Sequence, residues 1–84
     1  MRYKVSLSGD AQRGLGTLTP AQRRAVHGAQ ETLARRPREV GEPYEGSGPE
    51  ALRRWVLPAA RVSIMYRVLD RAVVVEVVWL IGHP

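Results

Sequence analysis

Residues 52–81 read LRRWVLPAARVSIMYRVLDRAVVVEVVWLI, and their pattern decides the fold. Pro58-Ala59-Ala60 and Asp70-Arg71 divide the run into three strand-like segments: Leu52 to Leu57, Arg61 to Leu69 and Val73 to Ile81. The middle segment alternates Val62, Ile64, Tyr66 and Val68 against Arg61, Ser63, Met65 and Arg67. A period of two puts successive side chains on opposite faces of a sheet. The third segment has Val73, Val75, Val77, Trp79 and Ile81 on one face and Val74, Glu76, Val78 and Leu80 on the other. Turns this short join antiparallel neighbours, so the last third is expected to be a three-stranded meander. Trp55 and Trp79 are expected in the core, where a domain without Phe has most use for aromatic bulk.

The chain upstream supplies the other layer. Tyr3-Lys4-Val5-Ser6-Leu7-Ser8 alternates strictly and reads as a half-buried strand. Gly9-Asp10 breaks it, and Ser8 or Asp10 can cap a short helix that puts Ala11, Leu15 and Leu18 on one side; Gly14 and Gly16 keep that helix weak. Thr19-Pro20-Ala21-Gln22 starts a second helix. Thr19 is its N-cap, Pro20 fills a position whose N–H has no helical partner, and Gln22 can close a capping box. Ala25, Val26, Ala29 and Leu33 follow at helical spacing. Pro37 stops the helix near Arg35-Arg36, whose charges suit a helix C-terminus. Residues 37–50, PREVGEPYEGSGPE, are expected to form a loop pinned by Tyr44. The expected fold is α+β in the order β-α-α-β-β-β, an antiparallel sheet with a helical hairpin on one face.

With 84 residues, the chain is long enough for one domain, 1–84. A domain this small buries about 60–65% of the surface its unfolded chain exposes, so its core is thin. The sequence contains no Cys and two His, which gives neither a disulfide framework nor a closed structural zinc site. No cofactor and no metal are expected. The N-terminus MRYKVSLSGD lacks the apolar stretch of a signal peptide, and Val77-Val78-Trp79-Leu80-Ile81 is too short to cross a bilayer. A cytoplasmic protein with no membrane partner is the expectation. Lys and Arg outnumber Asp and Glu by 13 to 8, for a net charge of +5, and this favours an acidic partner such as nucleic acid, the ribosome surface or an acidic protein.

The ordered series resembles the RelE/ParE superfamily of bacterial type II toxins over nearly its whole length. The resemblance is carried by an amino-terminal strand ending in Ser-Gly-Asp and the helical hairpin AQRGLGTLTPAQRRAVHGAQETLARRP. It continues through the Arg-rich hairpin LRRWVLPAARVSIMYRVLD, with Tyr66-Arg67-Val68 at its end, and the valine-rich last strand ending in Ile-Gly-His. It implies a toxin of a type II toxin–antitoxin system that is neutralised by a cognate antitoxin, with the ribosome and mRNA as targets. RelE-like members cut mRNA in the ribosomal A site, whereas ParE-like members share the fold and poison DNA gyrase. Plasmid stabilisation is a role the resemblance also implies.

Cleaving RNA by attack of a 2′-hydroxyl needs a base, positive charge on the developing phosphorane and an acid for the leaving oxygen. The resemblance implies Lys and Arg on the middle strands, with an Arg and a Tyr beyond the last. This sequence departs from that set. Where the family often has an Arg three residues before Tyr66 stands Ser63, although Arg61 lies two residues earlier. Arg54 falls near a basic position of the family, and Val56 occupies the next. After Gly82 come His83 and Pro84 in place of a basic residue and Arg, and the family's terminal Tyr has no counterpart.

His83 has the side-chain type that changes charge near neutral pH. In one reading it serves with Arg61 and Arg54 as a reduced ribonuclease site, while Arg53, Arg67 and Lys4 bind RNA phosphates. In the other it is an exposed chain end, and the protein acts by binding alone, as a gyrase inhibitor or as a catalytically decayed member that keeps its antitoxin. Arg61 and Arg67 are expected on the open face of the sheet, where like charges need an anionic partner.

Overall fold

Two capped helices separate the first strand from the rest of the sheet. The computed structural model describes residues 2–84. Strand β1 spans Lys4–Leu7, helix α1 Gly9–Thr17 and helix α2 Pro20–Arg35, followed by strands β2 (Glu42–Glu45), β3 (Leu52–Leu57), β4 (Val62–Leu69) and β5 (Val74–Gly82). A single 3₁₀ turn, Asp70–Ala72, joins β4 to β5. Ser8 caps α1, accepting from the Ala11 amide. Thr19 and Gln22 close the capping box of α2 around Pro20, so two of its free amides are satisfied before any tertiary contact forms. No described helix is long and apolar enough to cross a membrane.

The five strands form one sheet in the order β1-β5-β4-β3-β2. The meander β3-β4-β5 is antiparallel, as its short turns require. The sheet as a whole is mixed, however, because β1 lies parallel to β5. The two intervening helices carry the chain from β1 at one edge of the sheet to β2 at the other, and strand alternation alone carries no information about the direction in which β1 meets β5. Residues 37–50 also differ from expectation. Glu42–Glu45 add a short edge strand to β3, the one kind of strand in which Pro43 is tolerated.

A second departure changes the faces of β5. Met65 pairs with Trp79 but the next residue, Tyr66, pairs with Val77, which leaves Val78 as an unpaired bulge. One extra residue reverses the phase of everything beyond it. Val75, Val77 and Leu80 therefore face the helices, whereas Trp79 and Ile81 are both 44% exposed on the open face. Trp79 is not a core residue. Trp55 is half-buried and packs against the core.

That core is one cluster between the two layers. Ala11, Leu18, Val26, Ala29 and Leu33 from the helical side meet Val62, Ile64, Tyr66, Val68, Val75, Val77 and Leu80 from the sheet. Through Val26, Ala29 and Leu33, α2 supplies part of this cluster. Close approach occurs at α1, where a Cβ on Gly14 would lie 2.7 Å from the Leu80 carbonyl oxygen.

Polar ties hold the remaining segments. The buried Tyr66 hydroxyl lies 2.8 Å from the Pro37 carbonyl and 2.9 Å from that of Val40, and accepts from Arg53 Nε at 3.2 Å. Arg53 also donates to the carbonyls of Val40 and Gly41 at 3.0 and 3.2 Å. Gly41 takes φ +63° where a Cβ would meet both Arg54 O and Tyr66 Oη at 2.8 Å. The segment after α2 is thus pinned by Tyr66 and Arg53; Tyr44 is 56% exposed and does not pin it. Burial pushes the Tyr66 phenol above its ordinary pKa, which keeps it protonated and able to donate. Asp70 joins β1 to the same region, accepting from Tyr3 Oη at 2.7 Å and from Arg38 at 2.6 Å.

Two outcomes follow. Alanine is the better helix former by about 1 kcal/mol, yet Gly14→Ala is expected to destabilise the fold by about 1–3 kcal/mol through overpacking. Gly16→Ala, with nothing within 4 Å of the new carbon, should stabilise it by about 0.4–1 kcal/mol; urea melts of both variants check the pair. The hydrogen bond from Tyr3, then that from Arg38, hold the Asp70 carboxyl below the usual range. A group with a lowered folded pKa contributes stability above its unfolded pKa of about 3.9 and loses it as pH falls through the folded value. Asp70→Asn should therefore flatten the fall in Tm below about pH 4, and an unchanged acid limb would refute the assignment.

Candidate functional site

The face of the sheet away from the helices carries a cleft of about 230 Å³ lined by Tyr44, Arg54, Ser63, Met65, Ile81 and His83. Strand register explains the grouping. Arg54 pairs with Met65 and Met65 with Trp79, while Val56 pairs with Ser63 and Ser63 with Ile81. Directly paired residues share a face, so two short rows of side chains cross the open side, and Tyr44 enters from the irregular edge strand β2.

Each polar group in the cleft is held by a neighbour. The guanidinium carbon of Arg54 lies 5.9 Å from the centroid of the Tyr44 ring, within reach of the attraction between a cation and an aromatic face. The Nε2 atom of His83 lies 2.9 Å from Ser63 Oγ, and the His83 amide donates to the Arg61 carbonyl at 2.8 Å. That carbonyl also accepts from Gln22 Nε2 at 3.1 Å, as does the Ala60 carbonyl. The residue that closes the capping box of α2 therefore also fixes the β3–β4 turn on which His83 rests. Arg61 itself occupies the left-handed region at φ 57°, which is uncommon for a residue with a Cβ.

One cation, Arg54, lines the cleft. Among the described residues the ion pairs join Arg2 and Arg35 to Glu31, Arg13 to Asp10, Arg36 to Glu39 and Arg38 to Asp70. None involves Arg54, Arg61 or Arg67. Glu42 is opposite Arg54 and Glu76 opposite Arg67 in the strand register, and neither forms an ion pair with it. No group of three or more His, Cys, Asp or Glu able to hold a metal occurs among the described residues.

Of the residues singled out in the sequence, the fold brings Arg54 and His83 together. It does not bring the others to them. Arg61 precedes β4 in a left-handed turn rather than continuing its alternation, so it does not share a face with Arg67 by strand geometry, and it presents its carbonyl to His83. Arg53 turns to the helix side, where its guanidinium is occupied by Tyr66 and the loop carbonyls; as a phosphate ligand it is unsuited. Arg67 is exposed two residues beyond Met65, roughly 7 Å along the strand. Lys4 lies on β1 at the opposite edge of the sheet, three strands or about 14 Å from β3.

Ser63 and Tyr44 are the members that sequence reasoning passed over. Ser63 was visible as a polar residue among apolar neighbours, and its side chain is buried. Tyr44 reads in the sequence as the pin of a loop, which gives no reason to place it in a site. A second cavity, of about 330 Å³, opens on the other side of the sheet between α2 and the β3–β4 turn. It is walled by Ala25, Ala29, Trp55 and Leu57 and has no titratable lining residue.

No protein-family model matches the sequence, and no curated protein matches it. Solved structures do. The chain is similar to one in the RelBE2 toxin–antitoxin complex from Mycobacterium tuberculosis, with 22% identity over 99% of this chain and 100% of that one and a TM-score of 0.86. It is similar to the isolated RelE toxin of E. coli, at 18% identity over 98% of this chain and 85% of that one, with a TM-score of 0.81. The archaeal RelE–RelB complex from Pyrococcus horikoshii OT3 gives 21% identity over 98% and 96% of the two chains, and a TM-score of 0.78. Two helices on one face of a five-stranded sheet, matched over 98–99% of this chain in the three comparisons, give it the fold of the RelE toxins.

Proposed function

We propose that the protein is the toxin of a toxin–antitoxin pair, neutralised by a cognate antitoxin, and that it inhibits translation by cutting mRNA on the ribosome. The observation that supports this reading best is the meeting of Arg54, Ser63, His83 and Tyr44 in one cleft on the open face of a fold shared with RelE toxins. In the proposed reaction a ribose 2′-hydroxyl attacks the adjacent phosphorus. The bond to the 5′-oxygen breaks, leaving a 2′,3′-cyclic phosphate and a free 5′-hydroxyl. His83 takes the 2′-hydroxyl proton, the Arg54 guanidinium stabilises charge on the phosphorane oxygens, and water or the Tyr44 phenol protonates the leaving oxygen. Arg61 at the turn and Arg67 further along β4 are suited to flanking phosphates, which position a strand without choosing its sequence. An excess of positive charge favours an acidic antitoxin and an RNA target alike.

A binding-only reading, as a gyrase inhibitor or a member that engages its antitoxin alone, is favoured by one feature. A single guanidinium lines the cleft, beside apolar Met65 and Ile81.

Purified protein added to a reconstituted translation reaction, with mRNA 5′ ends mapped by primer extension, separates the readings. Cuts that need ribosomes and keep codon register support the nuclease. Arg54→Ala should then lower kcat by about 10²–10³-fold, as loss of a transition-state charge partner does, and His83→Ala by about 10²–10⁴-fold. Arg61→Ala should act mainly on KM. Intact mRNA in the presence of folded protein rejects cleavage, and a gyrase supercoiling assay is the next measurement.

A further inference from the structure

Ser63 has no packing reason to be polar. Its chain neighbours Val62 and Ile64 are buried in the core, and Met65 is buried beside it on the same face. Its register partners, Val56 and Ile81, are apolar. The hydroxyl is buried, and its one hydrogen-bond partner is His83 Nε2 at 2.9 Å. A hydroxyl that is buried on folding gives up the bonds it makes to water in the unfolded chain, so its retention calls for a compensating partner. Here that partner is the imidazole that lines the cleft. His83 is held at two points, its ring by Ser63 at the Nε2 edge and its backbone by the bond from His83 N to Arg61 O.

From this arrangement we infer that Ser63 is a positioning residue for His83: it engages Nε2 and leaves Nδ1 as the ring nitrogen open to a ligand in the cleft. A hydroxyl suits this task because it both donates and accepts. When the ring carries its proton on Nε2, that N–H donates to Ser63 Oγ and the Nδ1 lone pair is free to accept a proton. When Nδ1 then gains the proton, the imidazolium still donates from Nε2 to the same oxygen. When Nε2 is unprotonated, Oγ–H turns and donates to it. The seat therefore survives every protonation state of the ring, and a proton enters or leaves at Nδ1 without releasing the side chain. A carboxylate or an apolar residue at position 63 would not provide this. The identification of the cleft as an RNA site rests on the function proposed above; the seating of the ring does not.

The test uses the intact protein, uniformly ¹⁵N-labelled. Long-range ¹H–¹⁵N spectra read the two ring nitrogens of each histidine, and His27→Gln assigns the pair. In the neutral wild-type protein His83 is expected to show distinct nitrogen shifts, displaced from those of the exposed His27. In Ser63→Ala the His83 shifts should move to the averaged positions of His27, with the amide spectrum otherwise unchanged, and Ser63→Thr should restore the wild-type pattern. If the protein cuts mRNA, Ser63→Ala should also lower kcat by about 10- to 100-fold at unchanged KM, the effect of losing orientation of a reacting group. His83 shifts identical in wild type and Ser63→Ala overturn the inference, whatever the cleavage assay shows. A protein that cuts no mRNA but shows the expected spectral change overturns the nuclease reading and leaves the positioning role standing.

Discussion

The bond from Ser8 Oγ to the Val78 carbonyl, 2.6 Å long, joins two features on which the rest of the molecule depends. Ser8 is at once the end of the first strand and the N-cap of α1. Its hydroxyl satisfies a helix amide on one side and the carbonyl of the bulged residue of β5 on the other, while its own amide donates to Val77 at 2.9 Å. The start of the helical layer is thereby locked to the point where β5 changes phase. Before the bulge, odd-numbered Val75 and Val77 face the core; after it, Leu80 does. Without the extra residue Trp79 and Ile81 would point at the helices, where α1 lies against the Leu80 backbone, and the cleft would lose its Ile81 wall.

Neighbouring arginines show how a strand divides charge held by the protein from charge left open to a ligand. Arg53 and Arg54 are adjacent on β3, so they face opposite ways. The first is drawn into the protein by a buried phenol and three loop carbonyls, and its donors are consumed in holding the segment after α2. The second stacks on Tyr44 and retains its donors for a ligand. Their chemistry is the same; a half-turn of the strand decides the role.

The same logic governs the departures from the RelE-like residue set. A serine where the resemblance implies an arginine removes a charge from the middle strand but provides a seat for His83, which the last strand delivers to the same cleft. Two changes far apart in the sequence meet within 2.9 Å. Read singly, each is a loss; together they form a different polar arrangement on the same face.

Much of the fold was legible in the sequence because it is written locally. The Thr19–Gln22 capping box, the stop at Pro37, the alternation of β4 and the short turns of the meander each depend on residues within a few positions of one another, where sterics and hydrogen bonding act without the rest of the chain. Four things were decided only in three dimensions. The parallel pairing of β1 with β5 depends on the helices taking the chain to β2 at the far edge and the meander bringing it back to β5. The edge strand at Glu42–Glu45 exists because β3 offers it free backbone groups. The phase change at Val78 is a register fact invisible to any count along one strand. The cleft is the fourth: Arg54 and His83 could be named from the sequence, but Tyr44 and Ser63 join them through cross-strand packing, and Arg61, Arg53 and Lys4 are sent elsewhere by a turn, a face and an edge. A linear sequence specifies the chemistry of each side chain, whereas proximity between distant side chains is a property of the folded sheet.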